Sequence, residues 1–592
     1  MPDFEAGEQK LRAIARLCDA VGRLPLAVEL AAAGGAGLAP EEALSRLANS
    51  LDPLAQAPRD AAQRHASIYA AFDHSWQRLR AGHRRLFAAL SVFPSSFARP
   101  AAAAVAGPAG ASDQDSRRGL ALLVRRSLLA QQTEGGRYGW HSLLRTYAAE
   151  KLAAWPDLAR QVRQRQAAFY ADWVAELLEQ EGIGQPFLED VRHEIENIRQ
   201  AWQTGVDDSD HQLLGRLTAG VANYYQSRDR PGEGARLLEA AINALDRSPT
   251  EMTAERRLVL GRLLIWSSSL NWHGRVDKHL RPVERAVAHL VRLDAPVDYA
   301  AALIFWASSY RACARVDEAI GDAEQAITLL EARAEPVLLR WALQLAGECY
   351  FMRGDVVRAA ELARRALSLY EAHGPDGRIV LLFRDLGRYA LAQKRFEQAE
   401  SWFEEAVATA RRQRRPRRLG HATTDLLHLF LARQEFELAR RRLEAVVEEL
   451  DDHLRRFPDV QIDLLVAAGF LAHLQAAPDE VRACAYWALT LSRGLSHTVR
   501  GAHLLALVGR LLLAERLSLA AEILSFVAAK PVGLPSVAAD VPELLAQLRE
   551  RLTPQVFEAA QQQARRWHID EVVALALIEL KHWENGALVR VR

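Results

Sequence analysis

The sequence predicts a mainly α protein in which a small helix-and-hairpin domain leads into a long stack of antiparallel helix pairs. Three observations predict it. Small residues recur every forty residues, at Ala319, Ala359, Ala399 and Ala439, and again at Ala286, Ala326, Ala366 and Ala406. The residue nine before each member of the first series keeps the register as Tyr310, Tyr350, Ala390 and Phe430. At 592 residues the chain also exceeds what a single hydrophobic core covers, which favours an array or several domains.

Each forty-residue unit reads as two amphipathic helices joined by a short turn, at Arg353-Gly354-Asp355, Lys394-Arg395 and Gln434-Glu435. Small residues belong where the paired helices approach most closely, because a bulky side chain there would hold them apart. The aromatic on the first helix fills the space left by the alanine on the second. Weaker copies lie at 225–241, 270–286, 474–483 and 511–520. The unit resembles the tetratricopeptide repeat, lengthened beyond its usual length of about 34 residues. The resemblance runs over about residues 211–550 and is most specific at 300–450.

That resemblance implies a right-handed superhelix of helix pairs, an α-solenoid, with a concave wall lined by the first helices. Those helices run near 258–270, 299–310, 341–350, 381–389 and 421–430. Such a wall suits a protein, a peptide or a small-molecule inducer. Trp272, Arg311, Arg384 and Arg388 lie on or just after first helices, and Trp and Arg are the types that most often dominate binding energy. They are the candidate partner-binding residues. The same positions also suit packing by Trp272 and pairing of the arginines with acids such as Asp385.

Residues 61–155 have a different texture. The pattern predicts helices over 67–80, 83–91 and 117–128, then strands at 128–132 and 138–140 joined by Glu134-Gly135-Gly136. Three helices and a hairpin are the parts of a winged helix. A further helix at 141–152 leaves the wing, and Pro156 marks the passage to linker helices. Within these, 189–202 places Val191, Ile195, Ile198 and Trp202 on one face.

Short motifs connect this front part to a family. Gly22-Arg23-Leu24-Pro25-Leu26-Ala27 resembles the Gly-Leu-Pro-Leu-Ala signature of the NB-ARC class of STAND signal-transduction ATPases, with Arg23 in place of the usual leucine. Segments 64–76 and 90–93 resemble the winged helix of bacterial members, in the expected order. Tyr138-Gly139-Trp140-His141-Ser142 then aligns with the family's Met-His-Asp site, Trp140 and Ser142 replacing methionine and aspartate. The resemblance implies that Pro25 packs on adenine and that His141 senses an ADP phosphate. On the residues alone, Pro25 also suits the opening of a buried helix, and His141 a capping or packing role.

The phosphate-binding loop of that family is not found. It needs a Gly-Lys step, whereas none of the six lysines follows a glycine. The expectation is a separated or truncated arm that uses ADP or ATP only when a nucleotide-binding domain is supplied, with a separate ATPase module as a candidate partner. At the other end, 552–577 resembles the closing helices of bacterial regulators, with no helix-turn-helix after it.

Composition narrows the remaining choices. Lys and Arg number 75 against 74 Asp and Glu, so no global field exists for a polyanion or an acidic membrane. The four cysteines show neither metal nor disulfide spacing. No apolar run is long enough to span a membrane and no signal-peptide order is present, which predicts a cytoplasmic protein. The basic run Arg411 to Arg418 reads as a solvated inter-repeat turn, or else as a rim contact for phosphate or an acidic partner. No zinc spacing, H-E-x-x-H pair or G-x-S-x-G elbow supports an enzyme.

The expected organisation is a helical remnant at 1–60, a winged helix at 61–155, linker helices at 156–210 and a repeat array with capping helices at 211–592. The expected function is a non-catalytic sensor and protein-interaction arm of a STAND-type switch. Two other readings stay open: a DNA-binding transcriptional regulator that uses the winged helix, and a plain tetratricopeptide scaffold. Against DNA readout, the presumptive recognition helix carries its arginines at 117–118 and 125–126 around an apolar centre.

Overall fold

The computed structural model describes residues 8–20, 76–77, 79–107, 113–126, 128–132, 136–181, 185–228, 230–271, 276–374, 378–492, 498–529 and 540–581. The Gly22-to-Ala27 motif with Pro25, most of the predicted 67–80 helix and Trp272 lie outside the described residues. The chain divides into two compact units, residues 1–259 and 260–592. No described helix is long and apolar enough to cross a membrane.

In the first unit, helices Ala81–Leu90, Arg99–Ala106 and Asp113–Arg125 precede strands Ala130–Gln131 and Tyr138–Gly139, which pair antiparallel. Phe97 bridges to Tyr138 through two backbone hydrogen bonds of 2.9 Å, adding a third line to this minimal sheet. The helix Arg99–Ala106 was not predicted; its Pro100 sits in the first turn and Ala101, Ala102 and Val105 are buried. The predicted 117–128 helix starts and stops earlier, and Leu128 N–H returns to the Leu123 carbonyl at 3.0 Å.

Helices Ser142–Ala153, Pro156–Glu181, Gln185–Asp207, His211–Ser227 and Pro231–Arg247 follow. On Gln185–Asp207 the buried face holds Val191, Ile198 and Trp202 as expected, but Ile195 is only half-buried while Glu194 and Asn197 are buried. They are buried because they are bonded. Glu194 accepts from Arg137, from Tyr170 Oη at 2.7 Å and from Asn197 Nδ2 at 2.7 Å. Arg137 Nη2 and Asn197 Nδ2 also donate to the Ser96 carbonyl, at 2.8 and 2.9 Å. A buried carboxylate therefore ties the hairpin to the helices after it.

In the second unit the helices pair in sequence: Pro296–Ala312 with Val316–Glu331, Pro336–Arg353 with Val356–His373, Ile379–Ala392 with Phe396–Arg412, and Pro416–Ala432 with Phe436–Leu454. Pro458–Leu474 with Pro478–Ser492 and Thr498–Leu512 with Leu517–Ala528 continue the series; Val541–Arg551, Pro554–Arg566 and Ile569–Lys581 come last. Prolines open several first helices, where the missing N–H is harmless.

Both alanine series are buried, with none of the eight above 1% exposure, which fixes the predicted register. At the Pro336–Arg353 and Val356–His373 crossing, a Cβ added to Gly347 would stand 3.2 Å from the Ala359 carbonyl oxygen. The predicted 474–483 copy needs correction. Leu474 is exposed and Ala483 only half-buried; the equivalent crossing positions are the buried Val481 and Ala488.

The turns repeat as strictly as the crossings. Ala314, Gly354, Lys394, Gln434 and Ala476 each have φ between 57° and 95°. In each case the next residue's N–H reaches back to the carbonyl of Tyr310, Tyr350, Ala390, Phe430 or Ala472 at 2.9 Å. This is the six-to-one closure of a Schellman helix end, and it makes the second helix start at a fixed angle. The basic run falls on such a connection: Arg414 has φ 51°, Arg411 pairs with Glu449 at 2.8 Å and Arg412 with Glu405 at 2.7 Å.

Candidate binding face on the first helices

Successive first helices pack on one another as well as on their own partners. Side chains one repeat apart therefore meet on a shared face, and the charged ones form a ladder. Arg311 pairs with Glu348 at 3.1 Å. Gln344 Nε2 donates to Asp385 at 2.7 Å. Arg384 and Arg388 converge on Asp425, at 2.5 and 2.9 Å, and Arg388 also lies 3.8 Å from Asp385. Further along, His421 stands 3.0 Å from both Asp459 and Asp463, and Arg417 reaches Asp459 at 2.7 Å.

Burial sets the electrostatics of this ladder. Burial alone would raise the Asp425 carboxyl, but Arg384 and Arg388 outweigh it and hold the group below the usual carboxylate range. Asp385, buried and facing Glu348, is pushed up to about 8. Burial takes His428 down to about 4, so it is a neutral imidazole at physiological pH. Tyr389 is raised by burial and by Asp385 and Glu348. Solvent reaches the strip chiefly at Arg417, which keeps 33% of its side-chain surface, and at Glu348, Arg388 and Arg311, which keep 25%, 25% and 21%. No group of three His, Cys, Asp or Glu among the described residues could hold a metal ion.

All three described candidates of the partner-binding set, Arg311, Arg384 and Arg388, therefore stand on one face. Their guanidinium groups are engaged across repeats, as the pairing reading expected. Sequence reasoning missed their partners Glu348 and Asp425, and also His421 with Asp459 and Asp463. A signal existed: opposite charges or hydrogen-bonding partners recur 37 to 42 residues apart, one repeat along the chain.

His141 lies far from that ladder in sequence, between strand Tyr138–Gly139 and helix Ser142–Ala153. It occupies the cap position, yet its side chain makes no capping bond. Trp140 Nε1, His141 Nε2 and Ser142 Oγ are all buried without a hydrogen-bond partner. The Trp140 ring packs 5.6 Å from Phe87 and 6.1 Å from Phe97, which holds the junction in place.

Helix pairs with small crossing residues, repeated turns and cross-repeat contacts define an α-solenoid of tetratricopeptide type. No protein-family profile matches the chain. Proteins described as HTH-type transcriptional regulators in Mycobacterium tuberculosis and Mycobacterium bovis are 29% identical over 204 residues, 34% of this chain and 23% of theirs. The chain thus matches about a quarter of the length of those relatives.

Three solved structures are also similar. A STAND protein with a tetratricopeptide repeat sensor from Pyrococcus horikoshii has TM-score 0.37 at 14% identity, over 76% of this chain and 69% of that one. A Rap protein complexed with competence and sporulation factor has TM-score 0.41 at 13% identity, over 69% and 99%. The apo form of RapI has TM-score 0.36 at 12% identity, over 46% and 95%.

Proposed function

We propose that this chain is the non-catalytic sensor and protein-interaction arm of a STAND-type signalling switch in the cytoplasm, and that the first-helix face receives a peptide, a protein or an inducer. The ladder carries this reading. Buried ion pairs stabilise a fold little better than apolar packing of the same volume. Gathering them along five successive first helices, with partly exposed edges at Arg311, Glu348, Arg388 and Arg417, supports a face built for polar recognition. Arg311, Arg384, Arg388 and Trp272 are its proposed contact residues. Hydrogen exchange of the full chain with and without a binder selected from a random peptide library tests it. Protection should fall on 296–312, 336–353, 379–392 and 416–432; protection confined elsewhere removes the face from the reading.

The nucleotide contacts of the reading lie at Pro25 and His141, and operate when a nucleotide-binding domain is supplied by a separate module. The unpartnered buried atoms of Trp140, His141 and Ser142 fit such a group, since they offer hydrogen bonds that the described residues leave unused. ADP would supply the phosphate that His141 meets, and the chain's own residues would hold and report it.

A DNA-binding reading is favoured by one observation, the exposure of Arg118, Arg125 and Arg126 on helix Asp113–Arg125 and at its end. The HTH-type relatives agree with it. Against it, Arg137 of the hairpin is turned into Glu194 rather than toward solvent. A mobility shift on duplex DNA that weakens steeply with salt would establish this second reading.

A further inference from the structure

The charges of this chain cancel overall but not locally. Residues 76–165 hold 15 Lys and Arg against five Asp and Glu, a net of +10 in a chain whose net is +1. A surplus of this size on one short stretch is the footprint of a polyanion partner when its cations are exposed and lack counter-ions. Both conditions hold. Arg80, Arg85, Arg160 and Arg163 are exposed and make no ion pair or hydrogen bond with another described residue. In the second unit, by contrast, exposed arginines such as Arg315, Arg358, Arg365 and Arg411 each pair with an acid.

An aromatic pair gathers these cations. The rings of Trp76 and Trp155 lie 6.0 Å apart with a tilt of 31°, and Trp76 meets Tyr147 edge-on at 6.3 Å. Trp76 comes just before helix Ala81–Leu90, whose Arg84 donates from Nε to the Trp76 carbonyl at 3.0 Å and sets its guanidinium 5.8 Å from the ring. Arg80 lies one turn before Arg84, its carbonyl accepting the Arg84 N–H at 2.9 Å. Trp155 opens helix Pro156–Glu181, its carbonyl accepting the Ala159 N–H at 2.9 Å, and Arg160 and Arg163 follow on the first turns. From helix Ser142–Ala153, Lys151 Nζ lies 5.8 Å from the Trp76 ring and 4.6 Å from that of Tyr147. Only two acids, Glu150 and Asp157, belong to segments 76–90 and 142–165.

Amid these cations Trp155 keeps 36% of its surface exposed. An open indole flanked by unpaired arginines suits a base stacked on the ring with its phosphates on the cations. A duplex hides its bases, and an acidic side chain has no π-face to stack. We propose that this surface binds single-stranded nucleic acid without regard to sequence, Trp155 stacking a base and Arg80, Arg85, Arg160 and Arg163 holding phosphates. The inference does not rest on the first-helix face, and unlike the duplex reading above it makes no use of helix Asp113–Arg125.

Fluorescence anisotropy of labelled oligothymidylate with the full chain, across a salt series, tests it. The wild type should bind at low salt and weaken as salt rises. Arg160→Gln with Arg163→Gln should lower the slope of log affinity against log salt by about 1.4, since each phosphate contact on a single strand contributes about 0.7. Trp155→Ala should bind about tenfold more weakly at an unchanged slope, and Trp155→Phe should recover most of that loss. Arg118→Gln with Arg125→Gln should keep the affinity and slope of the wild type. The arginine variants alter only exposed side chains, so they report on binding whatever Trp155→Ala does to the fold. The proposal is overturned if oligothymidylate does not bind at low salt, or if a duplex of equal length binds more tightly. It is overturned equally if polyglutamate at the same charge concentration competes as well as the oligonucleotide, which would assign the surface to an acidic protein. Loss of binding in the Arg118 and Arg125 variant with none in the Arg160 and Arg163 variant would move the contact to helix Asp113–Arg125 and also sink it.

Discussion

Arg388 on one first helix donates to Asp425 on the next at 2.9 Å, and Asp425 keeps only 2% of its side-chain surface. Removing the acid strands two guanidinium groups, Arg384 and Arg388, in a sheltered place. Asp425→Ala should therefore cost about 3–5 kcal/mol. Arg388→Ala should cost less, because Arg384 still covers the carboxylate. Urea denaturation followed by helical circular dichroism reads both; equal, small losses would show that the ladder is peripheral.

Asp385 makes the array sensitive to pH. An unfolded aspartate titrates near about 3.9, whereas burial and Glu348 lift the folded group to about 8. The folded state binds the proton more tightly, so this contribution is fully present below the unfolded value and is lost as pH rises through about 8. Between roughly pH 6 and 9, the urea midpoint of the wild type should fall relative to that of Asp385→Asn. Parallel curves for the two proteins would place the titration elsewhere.

The turns offer gains rather than losses. Ala314, Lys394 and Gln434 adopt a left-handed backbone that glycine enters without strain, as Gly354 does at the matching place. Replacing each by glycine should stabilise by about 0.5–1 kcal/mol, the relief of strain exceeding the added entropy of the unfolded chain. Gly354→Ala should act in the opposite direction. Denaturation midpoints that move the same way for all four variants would contradict the repeated turn.

Ala359 and Ala399 sit at the crossings with no exposed surface. Leucine at either should overpack the helix pair and destabilise it by roughly 1–3 kcal/mol. An unchanged thermal midpoint for both would count against the register. The effect should be local, seen by hydrogen exchange first in 336–373 for Ala359→Leu.

The crossings were legible because a helix pair tolerates few residues at its point of closest approach, so the requirement repeats with the unit. Three of the five turn positions, Gly354, Lys394 and Gln434, were legible for the same reason, though glycine marks only Gly354; Ala314 and Ala476 were not read as turns. The helix Arg99–Ala106 was not, since a run of alanines carries no contrast between faces. Nor was the Arg137–Glu194 pair, which joins residues 57 apart outside any period. On 189–202 the apolar pattern named Ile195 where burial instead follows Glu194 and Asn197, because bonded polar groups can occupy a core that pattern reading assigns to carbon. The ladder lay between these cases: its arginines were visible, and their partners required reading one repeat ahead.

Because each first helix carries the acceptor for its predecessor and the donor for its successor, the modules of this stack are not interchangeable bricks. Excising 376–415 would leave the turns and alanine crossings in step, since one whole period is removed. It would also take away Arg384 and Arg388 and bring Glu348, the counterpart of Arg388 one period earlier, toward Asp425. Asp425 would then face the Glu348 carboxylate and the Gln344 amide where two cations had been. The charge pattern thus acts as an address on each module, and insertions or deletions that respect the spacing alone would still be rejected by their neighbours.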